Sequence, residues 1–424
     1  MNEGMRLGRN SLWLVGARIG AQVLALFTIL LARKLGISAF GEYTFFTTVV
    51  VIGNILTTCG TDMFFIREIA TRGTLIQLPA ALWLQLFLSG VWIVGATLFA
   101  PLLPNQSLAA IAALQIYSLA LIPMAFYTVF GTALRGMQHM NAYALLQLVG
   151  AGLQVIVVLV FVARGEGVVM LAMLLLAAQF VAACMAGLFC TVHIAGFWQD
   201  WRFSFTDVRA VAVASVPLAV LGVLGMFYQK LGVVLLSTLG GAALTGLFSA
   251  ALRVVDASKA IHAAVFIALF PVMSQAHTDP DGQAARTVRS SWKMLLAGAT
   301  VNALGMWLFA PLLVDWLYGD GFAASIPILR ILAWLLVPYS LNTFLTLAFV
   351  ASHRARAAGL ALTVTLLGLG LLSLWWIPAY GLEGAAWAAL VAECLQAVLL
   401  MIQFPQIQTW LLSLKPTFRA LRRP

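Results

Sequence analysis

Arg18 and Gln22 are the first residues whose types and spacing could bind a ligand. They stand four apart within the apolar run 12–32, so a helix places them on one face. A guanidinium keeps its charge in a protein and is costly at membrane depth unless it faces a polar cavity. The pair therefore predicts a substrate-binding surface inside a membrane protein. The alternative is that Arg18, about 10 Å into the run, snorkels to the membrane surface.

A second group of ionisable residues recurs every three positions: Arg253, Asp256, Lys259 and His262. Neighbouring pairs can touch on a helix, although the stripe rotates and all four cannot share one face. Two fixed cations here stand against one carboxylate. The excess of positive charge inside an apolar segment favours an anionic ligand at Arg253 and Lys259. A purely structural ion pair that holds the helix among its neighbours is the alternative.

Three further charged residues lie within or beside apolar segments. Lys230 and Arg330 are weaker substrate-binding candidates, because both stand near a predicted membrane boundary where snorkelling is an equally simple explanation. Glu393 lies in the middle of an apolar segment, where desolvation favours the protonated acid, as a proton-coupling site requires. Glu393 and Asp256 are therefore the coupling candidates. A neutral Glu393 that only hydrogen-bonds between helices is the alternative.

The composition identifies the elements that must position these residues. Of 424 residues, 62% are hydrophobic and 9% are charged, which excludes an ordinary soluble protein. Apolar stretches of about 20 residues recur along the whole chain, each long enough to cross a bilayer as a helix. We predict an all-α polytopic membrane protein of about twelve spans: 11–33, 40–60, 80–101, 108–130, 142–163, 168–192, 210–231, 242–266, 292–313, 326–349, 357–377 and 382–404.

The net charge of +10 reflects membrane orientation rather than nucleic-acid binding. With the N-terminus in the cytoplasm, sixteen basic residues fall in cytoplasmic segments and three, Arg33, Lys34 and Arg164, fall outside. The positive-inside rule then places both termini in the cytoplasm. The short connections hold no catalytic motif and no metal-ligand spacing. We therefore expect a protein that is not an enzyme and that needs no cofactor or metal.

A faint internal repeat suggests two halves. The segments 31–46 and 228–251 both contain K-L-G and then, after unequal gaps, a glycine followed by an aromatic and a small hydroxyl residue. Six spans per half predict two pseudo-symmetric six-helix bundles. The longest polar connection, 193–209, sets the predicted domains at 1–205 and 206–424, the second with a short basic cytoplasmic tail.

Four stretches then resemble a known family of membrane transporters. They are NSLWLVGARIG…LARKLGISAFGEY (10–43), GTDMFFIREIAT (60–71), GDGFAASIPILRILAW (319–334) and YGLEGAAWAALVAE (380–393). In order and spacing the chain resembles the polysaccharide-transporter, or O-antigen and oligosaccharide flippase, family of the multidrug/oligosaccharidyl-lipid/polysaccharide (MOP) flippase superfamily.

The resemblance implies a central basic cavity between the bundles and alternating access. It implies that the substrate is an undecaprenyl-diphosphate-linked oligosaccharide, moved from the inner to the outer leaflet of the bacterial cytoplasmic membrane. Arg18 corresponds to the basic residue of the family's first span, and an arginine fork suits a diphosphate. A polysaccharide polymerase and a chain-length regulator are candidate partners, beside the lipid bilayer.

Two other functions stay open. One is an exporter of the same superfamily for drugs or for another lipid-linked substrate. A multidrug exporter would use acidic or aromatic cavity walls, whereas the charges within the predicted spans are mostly basic. A non-transporting membrane partner of polysaccharide synthesis would need no buried cations.

Overall fold

The computed structural model describes residues 27–165, 167–199, 201–278, 283–351 and 354–403. Within these ranges the chain is helical and contains no strand, as the sequence predicts. The first five helices are α1 (Phe27–Thr58), α2 (Thr61–Arg72), α3 (Leu78–Phe99), α4 (Leu108–Ser118) and α5 (Leu121–Gly136). They are followed by α6 (Met140–Arg164), α7 (Val168–His193), α8 (Phe205–Thr278) and α9 (Gln283–Leu308). The last four are α10 (Ala310–Tyr318), α11 (Ser325–Ala333), α12 (Leu336–Ala351) and α13 (Ala355–Gln403).

Eight helical segments of the described chain are long and apolar enough to cross a membrane. A ninth is formed if α9 from Ser291 and α10, which meet at a bend of 68°, count as one broken span. Three of the long helices contain a glycine with non-helical backbone angles: Gly36 in α1, Gly241 in α8 and Gly381 in α13. Each break falls between two successive predicted spans. The multi-pass architecture is confirmed, and the count of twelve stays a prediction.

The described chain divides into two compact units. The first contains the described residues up to Ala250 together with Asp315–Phe322, and the second contains Ala251–Val314 and the described residues from Ala323 onward. The predicted boundary at 205/206 rests on the polar connection 193–209 and stays a prediction. α7 ends at His193 and α8 begins at Phe205, so the predicted polar connection between the halves does separate two helices.

Each unit has its own hydrophobic core. In the first, Phe65, Ile69 and Leu134 pack with Leu146 and Cys190, so that α2, α5, α6 and α7 share one apolar interior. In the second, Phe266 of α8 packs with Phe344 and Phe349 of α12 and with Leu400 of α13. These two helices therefore pack against α8 about two turns beyond Lys259.

The parts of α1 and α8 that follow Gly36 and Gly241 cross closely within the first unit. Gly36 (φ 73°, ψ 177°) and Gly241 (φ 84°, ψ 178°) interrupt their helices with nearly the same positive-φ geometry, which glycine adopts without strain. Five residues later, a Cβ on Gly41 would lie 1.8 Å from the carbonyl oxygen of Ala242, and one on Gly246 would lie 2.0 Å from that of Ile37. The contact is reciprocal. It supports an internal repeat in which Gly36 is equivalent to Gly241. The K-L-G match instead aligns Gly36 with Gly232.

Hydrogen bonds from the loop before α4 and from Arg33 of α1 lie around this glycine crossing. The loop before α4 supplies Asn105, whose side-chain amide donates to the Thr238 carbonyl (2.8 Å), and Ser107, whose hydroxyl donates to Glu42 (2.6 Å). Arg33 donates from Nε to the Leu317 carbonyl (2.7 Å) and from Nη2 to the Trp316 carbonyl, at the C-terminal end of α10. The bonds from Asn105 and Arg33 satisfy helix-end carbonyls that otherwise have no intrahelical donor.

Candidate functional site

A polar cluster in the second unit brings together three of the predicted residues. Asp256 and Lys259 stand one helical turn apart on α8, and their Oδ1 and Nζ atoms are 3.2 Å apart. The Lys259 ammonium also lies 5.2 Å from the centre of the Tyr339 ring on α12. The lysine is thus held from two sides, by a carboxylate on its own helix and by an aromatic face on another.

The partial exposure of the Asp256–Lys259 ion pair indicates the polarity of its surroundings. The side chain of Asp256 is 49% exposed and that of Lys259 is 20% exposed, although both lie in the apolar segment Gly222–Lys259. A carboxylate exposed to hydrocarbon is strongly disfavoured. The physically favoured surroundings for the exposed side of the pair are therefore polar.

The buried carboxyl group of the cluster is Glu393, on α13. Glu393 is 5% exposed, and the side-chain amide of Asn342 on α12 donates both to its Oε2 (2.6 Å) and to its backbone carbonyl (2.9 Å). Asn342 is itself 4% exposed, and its Oδ1 has no hydrogen-bond partner among the described residues. A side-chain amide has both N–H donors and a carbonyl acceptor. Asn342 can therefore hydrogen-bond to the Glu393 carboxyl group whether that group is ionised or protonated.

Tyr339 connects the two parts of the cluster. It stands one turn from Asn342 on α12 and lies within electrostatic range of Lys259, Glu393 and Asp256. We call Asp256, Lys259, Tyr339, Asn342 and Glu393 the α8–α12–α13 cluster. With Arg253, a cation one turn away on α8, included, the net charge is +1 while Glu393 is protonated and zero once Glu393 is ionised, because Asp256 and Lys259 cancel each other.

The other predicted binding residues lie elsewhere. Arg330 of α11 packs its guanidinium 5.5 Å from the Trp307 ring centre and donates to the Trp307 carbonyl (3.4 Å). Arg253 is half-buried on α8 in the second unit, and Lys230 is half-buried on α8 in the first. His262 is buried, with Nδ1 2.9 Å from the Ser258 carbonyl of its own helix. Arg18 and Gln22 lie outside the described residues.

Sequence comparison decides the family. A family model for polysaccharide biosynthesis proteins matches residues 7–277, more than half of the chain and including α1–α7 and most of α8. The chain belongs to the polysaccharide biosynthesis protein family. Among curated proteins, none matches it in sequence.

Solved structures similar to this polysaccharide biosynthesis protein are MOP superfamily transporters. An inward-facing multidrug resistance MATE transporter shares 16% identity at a TM-score of 0.71, over 92% of this chain and 96% of the other. The lipid II flippase MurJ in an inward closed conformation shares 13% identity at a TM-score of 0.77, over 94% and 89%. A MOP superfamily transporter from Pyrococcus furiosus shares 17% at a TM-score of 0.59, over 94% and 96%. At these identities the likeness establishes the fold of a multi-pass membrane transporter.

Sequence reasoning missed two members of the cluster in this polysaccharide biosynthesis protein. Tyr339 resembles any aromatic residue of an apolar span, and Asn342 reads as an ordinary interhelical hydrogen bond. Their signal is the spacing of Tyr339, Asn342 and Thr343 at i, i+3 and i+4, which places the three side chains on one face of α12. That face becomes meaningful only because α12 packs beside α8 and α13.

Proposed function

We propose that this protein is a flippase that moves undecaprenyl-diphosphate-linked oligosaccharide from the inner to the outer leaflet of the bacterial cytoplasmic membrane. The product would supply surface polysaccharide such as lipopolysaccharide O-antigen or exopolysaccharide. Membership of a polysaccharide biosynthesis family supports the pathway. The MOP transporter fold, shared with a lipid II flippase, supports the transport of a lipid-linked substrate.

The observation that carries this proposal is Lys259, a partly exposed cation in an apolar helical segment, paired with a half-exposed carboxylate. An ammonium group has three N–H donors, and the ion pair with Asp256 uses one of them. A diphosphate is the charged part of the proposed substrate and needs cationic donors inside the membrane. We assign the diphosphate to a basic cavity that includes Lys259 and Arg253. Arg18, Gln22, Lys230 and Arg330 are the further proposed contacts.

Glu393 is the proposed coupling residue, with Asp256 beside the lysine as the second. Protonation of Glu393 removes a negative charge from the α8–α12–α13 cluster and so favours an anionic ligand. Loss of that proton returns the negative charge, makes the cluster together with Arg253 neutral overall, and favours release of the anion. Asn342 tolerates both forms, because its amide can donate to the carboxylate or accept from the acid. A proton gradient would thereby bias binding on one side and release on the other.

The remaining parts of the proposal follow the sequence. We propose cytoplasmic termini, two six-helix bundles that meet near 205/206 around a central cavity, and an alternating-access cycle. A polysaccharide polymerase and a chain-length regulator are the proposed partners on the product side.

Replacement of Lys259 tests the proposed binding role. Lys259→Gln keeps a polar side chain and removes the cation, whereas Lys34→Gln removes an exposed cation from the first unit. In proteoliposomes that contain labelled lipid-linked oligosaccharide, we expect Lys259→Gln to slow flipping at least tenfold and Lys34→Gln to leave it unchanged. Equal rates for wild type and Lys259→Gln would refute the binding role.

A multidrug exporter is the second candidate, favoured by the similarity to MATE transporters. It predicts that cells producing the protein expel cationic dyes, and that Lys259→Gln, which removes a repulsive charge, leaves or raises that activity. Dye efflux without flipping of lipid-linked oligosaccharide would select this function.

A further inference from the structure

A second polar surface lies in the first unit, on α6. Between residues 142 and 163 only Tyr143, Gln147 and Gln154 are polar, in a helix of mean hydropathy 2.5. Spacings of four and seven residues place all three on one helix face. We call these three residues the α6 polar stripe. It extends about 17 Å along the helix, at 1.5 Å per residue.

The α6 polar stripe is hydrogen-bonded to α5. The Tyr127 hydroxyl donates to Gln147 Oε1 (3.2 Å), and Gln147 Nε2 donates to the Tyr143 hydroxyl (2.6 Å). Gly150 lies beside them, so that the Tyr127 hydroxyl stands 3.5 Å from the place a Cβ would take. These two bonds leave one N–H of Gln147 and the O–H of Tyr143 as donors for a further partner.

One end of the stripe carries a cation. The Arg135 guanidinium lies 5.0 Å from the centre of the Tyr143 ring and 3.9 Å from the Asp62 carboxylate. Its Nη2 also lies 3.4 Å from the Thr132 hydroxyl, while its Nε is buried and has no partner among the described residues. Arg135 stands at the end of α5 that the sequence places on the cytoplasmic side.

Exposure of the stripe excludes lipid as its surroundings. Gln147 is half-buried and Gln154 is exposed. An amide exposed to hydrocarbon without a partner costs about 4–8 kcal/mol on water-to-cyclohexane scales. An exposed glutamine in the middle of a membrane helix therefore faces a water-accessible opening, as does the half-buried one beside it.

We propose that the α6 polar stripe, with Tyr127, binds the sugar hydroxyl groups of the transported substrate. Phenol and amide groups both donate and accept, as sugar hydroxyls do, and the tyrosine rings offer flat apolar faces for sugar C–H groups. The three stripe residues carry no charge of their own, and Arg135, the cation at one end, is already paired with Asp62 (3.9 Å), which disfavours both a cationic ligand and a polyphosphate. This assignment rests on the proposed flippase function and adds a second binding surface for the carbohydrate alone.

Binding to two matched lipids tests the assignment on the full-length protein in nanodiscs. One probe is the lipid-linked oligosaccharide extracted from cells that produce the protein, and the other is undecaprenyl diphosphate without sugar. We expect Gln154→Leu and Tyr127→Phe each to weaken binding of the glycosylated lipid about fivefold, the effect of one hydrogen bond, and to leave binding of the bare lipid unchanged.

The control is Gln85→Leu, which removes a buried amide that donates to the Thr61 hydroxyl (2.7 Å) away from the stripe. It should lower stability and leave the preference between the two lipids unchanged. Equal affinity of the wild type for both lipids, or an equal effect of the variants on both, would overturn the sugar assignment. A wild type that binds neither lipid would instead refute the flippase function itself.

Discussion

The reciprocal glycine crossing makes the sharpest prediction about the fold. In Gly41→Ala the new methyl group would stand 1.8 Å from the Ala242 carbonyl oxygen, whereas ordinary C···O contacts lie at about 3.3–3.6 Å. The helices must separate by about 1.5 Å, because the obstructing atom belongs to the backbone and cannot rotate away. Overpacking of this kind costs about 3 kcal/mol or more, against about 1 kcal/mol gained in helix propensity.

We therefore expect Gly41→Ala to lower the free energy of unfolding by at least about 2 kcal/mol. Gly246→Ala should do the same, since its methyl group would meet the Ile37 carbonyl oxygen at 2.0 Å. Gly90→Ala is the matched control, because Gly90 lies within α3 with nothing within 4 Å of the added Cβ. It should raise stability by about 0.5–1 kcal/mol.

The double variant distinguishes one crossing from two separate contacts. A single separation of the helices relieves both clashes, so Gly41→Ala with Gly246→Ala should be little worse than either alone, and non-additive by about 1–3 kcal/mol. Tryptophan fluorescence during denaturant titration of the purified protein measures all four variants. Additive losses, or a Gly41→Ala as stable as Gly90→Ala, would refute the reasoning.

Three further predictions concern Glu393, Arg33 and Arg18. Glu393→Gln should keep substrate binding and lose dependence on a proton gradient in proteoliposomes, and unchanged gradient dependence would exclude Glu393 from coupling. Arg33→Gln should speed hydrogen exchange across Asp315–Phe322, because the end of α10 loses its donors, while exchange in α2 stays constant. Arg18→Ala should abolish surface polysaccharide at normal protein levels and Arg18→Lys should restore it only in part; full export by the alanine variant would contradict a cavity role.

The long apolar helices could be predicted from the sequence because membrane spans need continuous hydrophobic residues. The helix breaks at Gly36, Gly241 and Gly381 likewise fall in the predicted connections. The register of the repeat could not be predicted from residue types alone. Gly232 matches the K-L-G pattern, whereas Gly241 shares the backbone geometry of Gly36, and only the reciprocal approach of Gly41 and Gly246 reveals the pairing.

For the site, charge alone identified Asp256, Lys259 and Glu393. Desolvation makes such residues conspicuous in any apolar segment. Their neighbours Tyr339 and Asn342 are unremarkable in sequence, since their importance depends on which helices α12 packs against. Gln147 bonds to Tyr127 on α5 and to Tyr143 on its own helix, pairings that residue types alone do not specify. Gln154 is exposed, which favours a binding role over a structural contact between helices. This exposure depends on the tertiary fold and cannot be read from the sequence.

Flipping in proteoliposomes tests the central proposal most directly. The purified protein is reconstituted with fluorescent undecaprenyl-diphosphate-linked oligosaccharide, and the labelled sugar that becomes accessible in the opposite leaflet is measured over time. We expect transport by the wild type, a rate at least tenfold slower for Lys259→Gln, and an unchanged rate for Lys34→Gln. No transport by the wild type, or equal transport by Lys259→Gln, would contradict the proposal.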